Sequence, residues 1–456
     1  MKASGSATGV IAALALVVRA AIVWWAHAKF PPVADATYYD LFARRLAEGL
    51  GYTMAWPDGV VTYAAHYPVG YPGILSIAYR VFGESLGVAM GVNAVIGAAS
   101  AAAAHRLALR EAPAGFAAGA AIAIALHPAL LLYVPALMTE SVATSLAIIA
   151  LACAPHETTG KTDAKYMQYA RIAAMGVFFG IATLVRPQMI AFAPLLAFVV
   201  TRRLPVAGLV LAVALVTVAP WTARNCVRMN RCALVSVNGG WNLLIGVHTE
   251  NGSWTPLDTP PECREVWDEA GKDACFERAA RREIARSPRA WLSKIPRKLS
   301  MTFDVFAAGP YYLHRSNPRA FDVDATVITG GIETFASRLF LALSFVACVP
   351  LFRLRVSRKD WVLTAPRFAL ALVGLVFAFI RTAWPAYAIL AVLCFVRARG
   401  ERRSMLRVTA GIVVAATMAT HAVFFGAGRY GLLVVPFVAL SAFACVRPKA
   451  LAASRA

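Results

Sequence analysis

Charge is sparse in this sequence, and acidic charge is sparser still. Asp, Glu, Lys and Arg make up 15% of the 456 residues, and 24 acidic residues face 45 basic ones, a net charge of +21. On a soluble protein that surplus would suggest a nucleic-acid partner. Here the basic residues fall in short connectors between apolar blocks, where positive charge sets membrane topology and meets anionic headgroups. No nucleic-acid partner is therefore expected. A Gly-rich strand-to-helix turn of the nucleotide-binding kind is missing, which counts against a nucleotide donor. No histidine stands at ligand spacing beside the cysteines, which disfavours a zinc site. No cofactor is called for, and a divalent cation beside the acidic residues is left open. Internal repeats and low-complexity tracts are missing too, whereas many transporters show repeats.

Apolar residues are plentiful: 59% of the chain, with mean hydropathy +0.62. The excess lies in blocks of about 15–25 residues, the length that crosses a bilayer as helix. Such blocks lie near 8–28, 86–107, 114–134, 140–154, 171–186, 188–201, 205–221, 333–352, 366–381, 383–397, 406–426 and 430–446. The expected fold class is an all-α polytopic membrane protein of about twelve transmembrane helices, with interfacial helices in its first external loop. Residues 26–28 (Ala-His-Ala) imitate a signal-peptidase site. The long run before them, interrupted by Arg19 and ending at Trp24 and Trp25, reads instead as a retained helix with an interfacial belt.

Basic residues collect in every second connector: Arg106 and Arg110; Lys161, Lys165 and Arg171; Arg202 and Arg203. Later come Arg353, Arg355, Arg358 and Lys359; Arg397, Arg399, Arg402, Arg403 and Arg407; and Arg447 and Lys449. By the positive-inside rule these face the cytoplasm. Segments 29–85 and 222–332 then fall outside. This divides the chain into 1–221, the external region 222–332, and the closing helices 333–456. Segment 222–332 holds two close cysteine pairs, Cys226 with Cys232 and Cys263 with Cys275, which suggests disulfides in an oxidising compartment. Cys153, Cys348, Cys394 and Cys445 lie in or beside helices.

Candidate chemistry gathers on the outer side. Asp35 stands just past the first helix, before a short amphipathic surface helix stopped at Gly49. Tyr38, Leu41, Phe42 and Leu46 share one face of that helix; Asp40, Arg44 and Glu48 share another. Asp35 could cap the helix or serve as a general base. A Pro/Gly turn follows, from His66 and Tyr67 through Tyr71 to Gly73. Thr139 and Glu140 open a helix, where they suit capping and the helix dipole. A carboxylate at the membrane boundary is equally a candidate active-site partner for Asp35. Arg186, Arg224 with Asn225, Arg429 with Tyr430, and Arg19 could snorkel or bind phosphate through their planar donors.

Together these pieces resemble the C-type (GT-C) membrane glycosyltransferases, and within them the bacterial relatives of protein O-mannosyltransferases and lipid A aminoarabinose transferases. The pieces are Asp35 with Tyr38-Tyr39 and Gly49-Leu50-Gly51-Tyr52; Tyr67-Pro68-Val69-Gly70-Tyr71-Pro72; Met138-Thr139-Glu140; and Leu184-Val185-Arg186-Pro187. Pro220-Trp221-Thr222-Ala223-Arg224-Asn225, Asn238-Gly239-Gly240-Trp241-Asn242-Leu243 and Arg429-Tyr430 complete the order. The turn departs from the family's Pro-Pro-Gly-Tyr-Pro by Val69, and the last helices match only through Arg429-Tyr430.

The resemblance implies an inverting hexosyl- or pentosyltransferase working on the outer face of a bacterial plasma membrane. Its donor would be a polyprenyl-phosphate sugar and its acceptor a lipid, glycan or protein. Asp35 would be the catalytic base and Glu140 the second carboxylate. Arg186, Arg224 and Arg429 would hold the donor phosphate, in a pocket with Tyr38, Tyr39, Tyr67, Tyr71, Asn225 and Tyr430. The competing readings are a lipid or sugar transporter or flippase, and a ligase using a pyrophosphate-linked donor.

Overall fold

Within the described residues all twelve apolar blocks are helical, the form in which a backbone inside hydrocarbon satisfies its own polar groups. The computed structural model describes residues 2–155, 162–349, 358–396 and 403–444. Lys161, Arg353, Arg355, Arg397, Arg399, Arg402, Arg447, Lys449 and Cys445 lie outside the described residues. In chain order the helices are α1 (Lys2–Ala26), α2 (Asp35–Ala47), α3 (Gly70–Phe82), α4 (Leu86–Ala108), α5 (Ala114–Leu126), α6 (Pro128–Leu131) and α7 (Thr139–Ala152). Next come α8 (Thr162–Val185), α9 (Met189–Thr201), α10 (Leu204–Arg228), α11 (Gly239–His248), α12 (Glu269–Arg286), α13 (Pro288–Ser293), α14 (Ile295–Phe303) and α15 (Ala308–Ser316). The last are α16 (Val323–Cys348), α17 (Arg358–Phe379), α18 (Trp384–Phe395), α19 (Met405–Val423), α20 (Gly428–Gly431) and α21 (Val435–Ala442).

Among the described residues six helices are long and apolar enough to cross a membrane: α1, α4, α8, α10, α16 and α19. A seventh span forms if Ala114–Leu126 and Pro128–Ala136, bent by 50°, count as one. The other five blocks are helices of 10–17 residues, shorter than a full crossing needs. Exposed side chains on the long helices, such as Val17, Val216 and Val327, are apolar. The chain is an integral multi-pass membrane protein, and its regular structure among the described residues is helical apart from one small hairpin. That hairpin, β1 (Thr53–Ala55) paired antiparallel with β2 (Val61–Tyr63), joins α2 to α3.

The bundle is built by close approach. Gly176 and Gly180, one turn apart on α8, lie where an added Cβ would sit 2.5 Å from Val213 and from Thr217 of α10. Small residues at this spacing let two membrane helices touch backbone to backbone. The bend after α5 has an equally local cause. Pro128 has no N–H for the Ile124 carbonyl, and the Ala129 N–H turns to His127 Nδ1 at 3.3 Å. Arg19 of α1 supplies the missing donors, to Ala125 at 2.8 Å and Ile124 at 3.4 Å. Among the described residues it meets no acidic side chain, contrary to the anionic partner expected for it.

At the end of the bundle that carries Asp35, segment 222–332 folds as α11 to α15 with the first turns of α16. Cys226 is bonded to Cys232, and Cys263 to Cys275. The second pair lies in a small core with Leu244 and Phe276. Glu269, at the start of α12, accepts from the N–H groups of Ala65 at 2.7 Å and His66 at 3.0 Å. It thereby ties this segment to the first loop.

Candidate functional site

The site forms where α2, α7, the end of α8 and α20 converge. Asp35 is the first residue of α2, but no side chain caps that helix. Its carboxylate turns inward, where Oδ2 accepts from Arg429 Nη1 at 2.6 Å. Tyr67 OH points to Oδ1 at 3.5 Å. The capping role is therefore not the one Asp35 adopts.

Glu140, in the first turn of α7, is 1% exposed at its side chain. Its Oε1 accepts from Arg186 Nη1 at 2.7 Å, and its Oε2 accepts from Tyr133 OH at 2.7 Å. Arg429 Nε lies 3.6 Å from the same Oε1. The four groups make one alternating row: Asp35, Arg429, Glu140, Arg186. Two carboxylates and two guanidiniums balance in charge, which is what a half-buried cluster requires.

Backbone geometry supports the row. Ala34, directly before Asp35, has φ 55° and ψ −132°. Leu137, three residues before Glu140, has φ 50°. An L-residue enters these regions only where its surroundings hold it there. Ala34→Gly should raise stability by about 1 kcal/mol by releasing that strain, measured by thermal unfolding in detergent. Unchanged or lower stability would show that the site imposes no strain on Ala34. Gly70 opens α3 hard against the last backbone of α8, where an added Cβ would meet Val185 N at 2.4 Å. Only glycine lets the turn rest so close to Arg186.

Burial pushes the Asp35 carboxyl up, but the charge and hydrogen bond of Arg429, aided by His66 and Arg186, hold it below its ordinary value. Burial takes the His66 imidazole down to about 4, against the pull of Asp35. Tyr39 and Tyr67 are driven upward, first by burial and then by Asp35. At neutral pH the first loop thus presents an ionised Asp35 among neutral rings.

Several expected residues join this cluster and others do not. Tyr67 stacks on Tyr38 at 4.8 Å and meets Tyr39 edge-on at 5.5 Å. Tyr430 OH accepts from Arg429 Nη2 at 3.1 Å. Tyr71 instead turns into the bundle and donates to Asn93 Oδ1 at 3.0 Å. Arg224 donates to the carbonyls of Tyr52 and Ala64, both at 2.9 Å, and lies over Trp221. Asn225 donates to the Ala233 and Val235 carbonyls. Both hold loops together, away from the acidic row.

Three solved structures are similar to this chain over nearly its whole length. The oligosaccharyltransferase of Archaeoglobus fulgidus, tethered with an acceptor peptide, matches at 14% identity and TM-score 0.49, over 97% of this chain and 49% of that one. The same archaeon's AglB, in complex with an inhibitory peptide and a dolichol-phosphate, matches at 16% identity and TM-score 0.47, over 97% and 50%. ArnT from Cupriavidus metallidurans, bound to undecaprenyl phosphate, matches at 15% identity and TM-score 0.40, over 94% and 76%. The chain spans about half the length of the archaeal enzymes. No family model and no curated protein sequence matches it.

Three contributors went unnoticed in the sequence. Tyr133 reaches Glu140 because the bend at His127-Pro128 folds the chain back on itself. Tyr312, from α15, accepts from Arg429 Nη1 at 3.2 Å. His421 stacks on Tyr430 at 4.2 Å. Only Pro128 and Pro135 hinted at the first; the other two depend on long-range packing that no local pattern announces. No cluster of three or more His, Cys, Asp or Glu side chains suited to a metal exists among the described residues. Arg186, Arg429 and Tyr133 already occupy oxygens of both carboxylates. The described residues do not fit a divalent cation.

Proposed function

We propose that the chain is a glycosyltransferase that moves a sugar from a polyprenyl-phosphate donor to a lipid, glycan or protein acceptor at the outer membrane face. The observation that carries this reading is the sharing of Arg429 between Asp35 and Glu140, with Arg186 beside them. The phosphodiester of the donor, entering this row, offers oxygens that the guanidinium forks of Arg429 and Arg186 can bind in place of Asp35. Arg429 and Arg186 bind the phosphate and stabilise it as the leaving group. As Arg429 turns to the phosphate, Asp35 loses the cation that holds its proton affinity down. Burial then makes it a stronger base at the moment the donor is seated.

The step is one displacement with inversion. The acceptor oxygen or nitrogen attacks the anomeric carbon while Asp35 takes its proton. The bond between that carbon and the phosphate oxygen breaks, and polyprenyl phosphate departs with the electron pair. A groove of about 470 Å³ runs between Pro187, Arg231, Asp273, Glu277 and Phe424. It adjoins Arg186 and the segment leading to Arg429, which supports segment 222–332 as the acceptor side.

Orientation is part of the proposal. A reporter fused after Arg403 should be cytoplasmic and one within 255–280 external, as the basic connectors require. The opposite sidedness at either point would invert the topology. The reaction is tested by mass spectrometry of envelope lipids, glycans and proteins from cells with and without the gene. Loss of one glycosylated species, with accumulation of its lipid-phosphate donor, is expected. Identical profiles would remove the reading.

A further inference from the structure

A second cluster lies inside the bundle, away from the acidic row and independent of the transferase reading. Arg19 is 2% exposed. Among the described residues its three hydrogen bonds all go to carbonyls, those of Ala15 at 3.2 Å, Ala125 at 2.8 Å and Ile124 at 3.4 Å. A guanidinium inside a membrane bundle is costly and normally faces a partner charge. Carbonyls at the end of α5 offer only partial charge.

Beside Arg19 is a small cavity of about 20 Å³, lined by Asn93, Gly97, Ser100, Ser141 and Ser145 as well as apolar side chains. Ser100 and Ser145 are 2% and 6% exposed. Among the described residues none of the three serine hydroxyls has a protein partner. The volume exceeds the roughly 10–15 Å³ that one water needs, which leaves room for a single, somewhat larger monatomic ion. Arg19 itself is seated over Gly97, where an added Cβ would come 2.6 Å from its Nε. The cavity also underlies Asn93, which accepts from Tyr71 OH and donates to the Val134 carbonyl at 2.9 Å. It thus supports the bend that delivers Tyr133 to Glu140.

We propose that this cavity binds one halide-sized monovalent anion, held by Arg19 and the hydroxyls of Ser100, Ser141 and Ser145. The anion supplies the full negative charge that the carbonyls lack, and each hydroxyl donates one hydrogen bond to it. A neutral water would leave the guanidinium uncompensated.

The test uses the full chain purified in detergent at constant ionic strength. Its melting temperature is followed as sodium gluconate is replaced by chloride or bromide. A saturating rise with either halide is expected, since a ligand that binds only the folded state stabilises it by mass action. Ser100→Ala combined with Ser145→Ala should abolish the rise while keeping the melting temperature measured in gluconate. Crystals soaked in bromide should show an anomalous peak beside Arg19. Equal melting temperatures in all three salts would overturn the proposal, as would a halide effect undiminished in the double variant. Water density without an anomalous peak would do the same.

Discussion

Replacing Asp35 with asparagine should lower turnover by about 100-fold or more while leaving the protein folded and inserted. The amide oxygen still accepts from Arg429, and the side chain lost is 30% exposed. Its ion pair therefore contributes at most about 1 kcal/mol after solvent screening. What disappears is the more exposed of the row's two carboxylates, the one better placed to take a proton from an acceptor. Melting temperature and turnover should separate: little change in the first, near-complete loss in the second. Full activity in Asp35→Asn would transfer the base role to Glu140 or Asp40. Of these Glu140 shares Arg429 with Asp35, whereas Asp40 is paired with Arg44 and Tyr79. Glu140→Gln should cost less than Asp35→Asn if Glu140 only positions the guanidiniums.

Arg429→Met should lower turnover by about 10²–10³-fold, the usual effect of removing a donor aimed at developing negative charge. Its sharper signature is in pH dependence. The folded-state pKa of Asp35 is depressed because Arg429 outweighs burial, so in the free enzyme Asp35 loses its proton below the ordinary carboxylate range. The acid limb of kcat/KM, which reports the free enzyme, should lie at correspondingly low pH. In Arg429→Met burial acts unopposed by that charge, and the limb should move to higher pH. The acid limb of kcat, which reports the donor complex, should already lie above that of kcat/KM in the unaltered enzyme. Arg429→Lys keeps the charge and should restore the position of the limb better than the rate, because the planar fork is lost. Coincident limbs in the unaltered enzyme and Arg429→Met would show that Arg429 does not set the proton affinity of Asp35.

The row was only partly legible in the sequence. Long apolar runs admit one solution in lipid, so the twelve helices could be placed from composition and spacing. The surface helix after α1 was visible in its periodicity and its stop at Gly49, which has φ 81°. Its facing was misjudged. Tyr39, Asp40, Phe42 and Ala43 form the buried side, and Tyr38 is 39% exposed. The helix does not simply lie on lipid: α3 covers it, and Tyr79 of α3 donates to Asp40. That partner was invisible because nothing in a single helix tells which neighbour will cover it.

Arginine roles were harder still. Arg186, Arg224 and Arg429 have the same local signature, a basic residue at the end of an apolar helix. Arg186 and Arg429 meet carboxylates; Arg224 meets carbonyls of the first loop. The difference arises from partners 46 to 394 residues away in the chain, which only the tertiary fold brings near. The opposite holds for the cysteines. Close pairs on one exposed segment have few alternatives, and their spacing anticipated both bonds.

The purified chain, reconstituted in liposomes with a panel of polyprenyl-phosphate-linked sugars and envelope extract, is assayed for free polyprenyl phosphate and for movement of intact donor between leaflets. Polyprenyl phosphate should be released together with a glycosylated product of inverted anomeric configuration, and both should be abolished in Asp35→Asn. Movement of intact donor across the bilayer, without release and unaffected by Asp35→Asn, would contradict the transferase reading and identify a transporter.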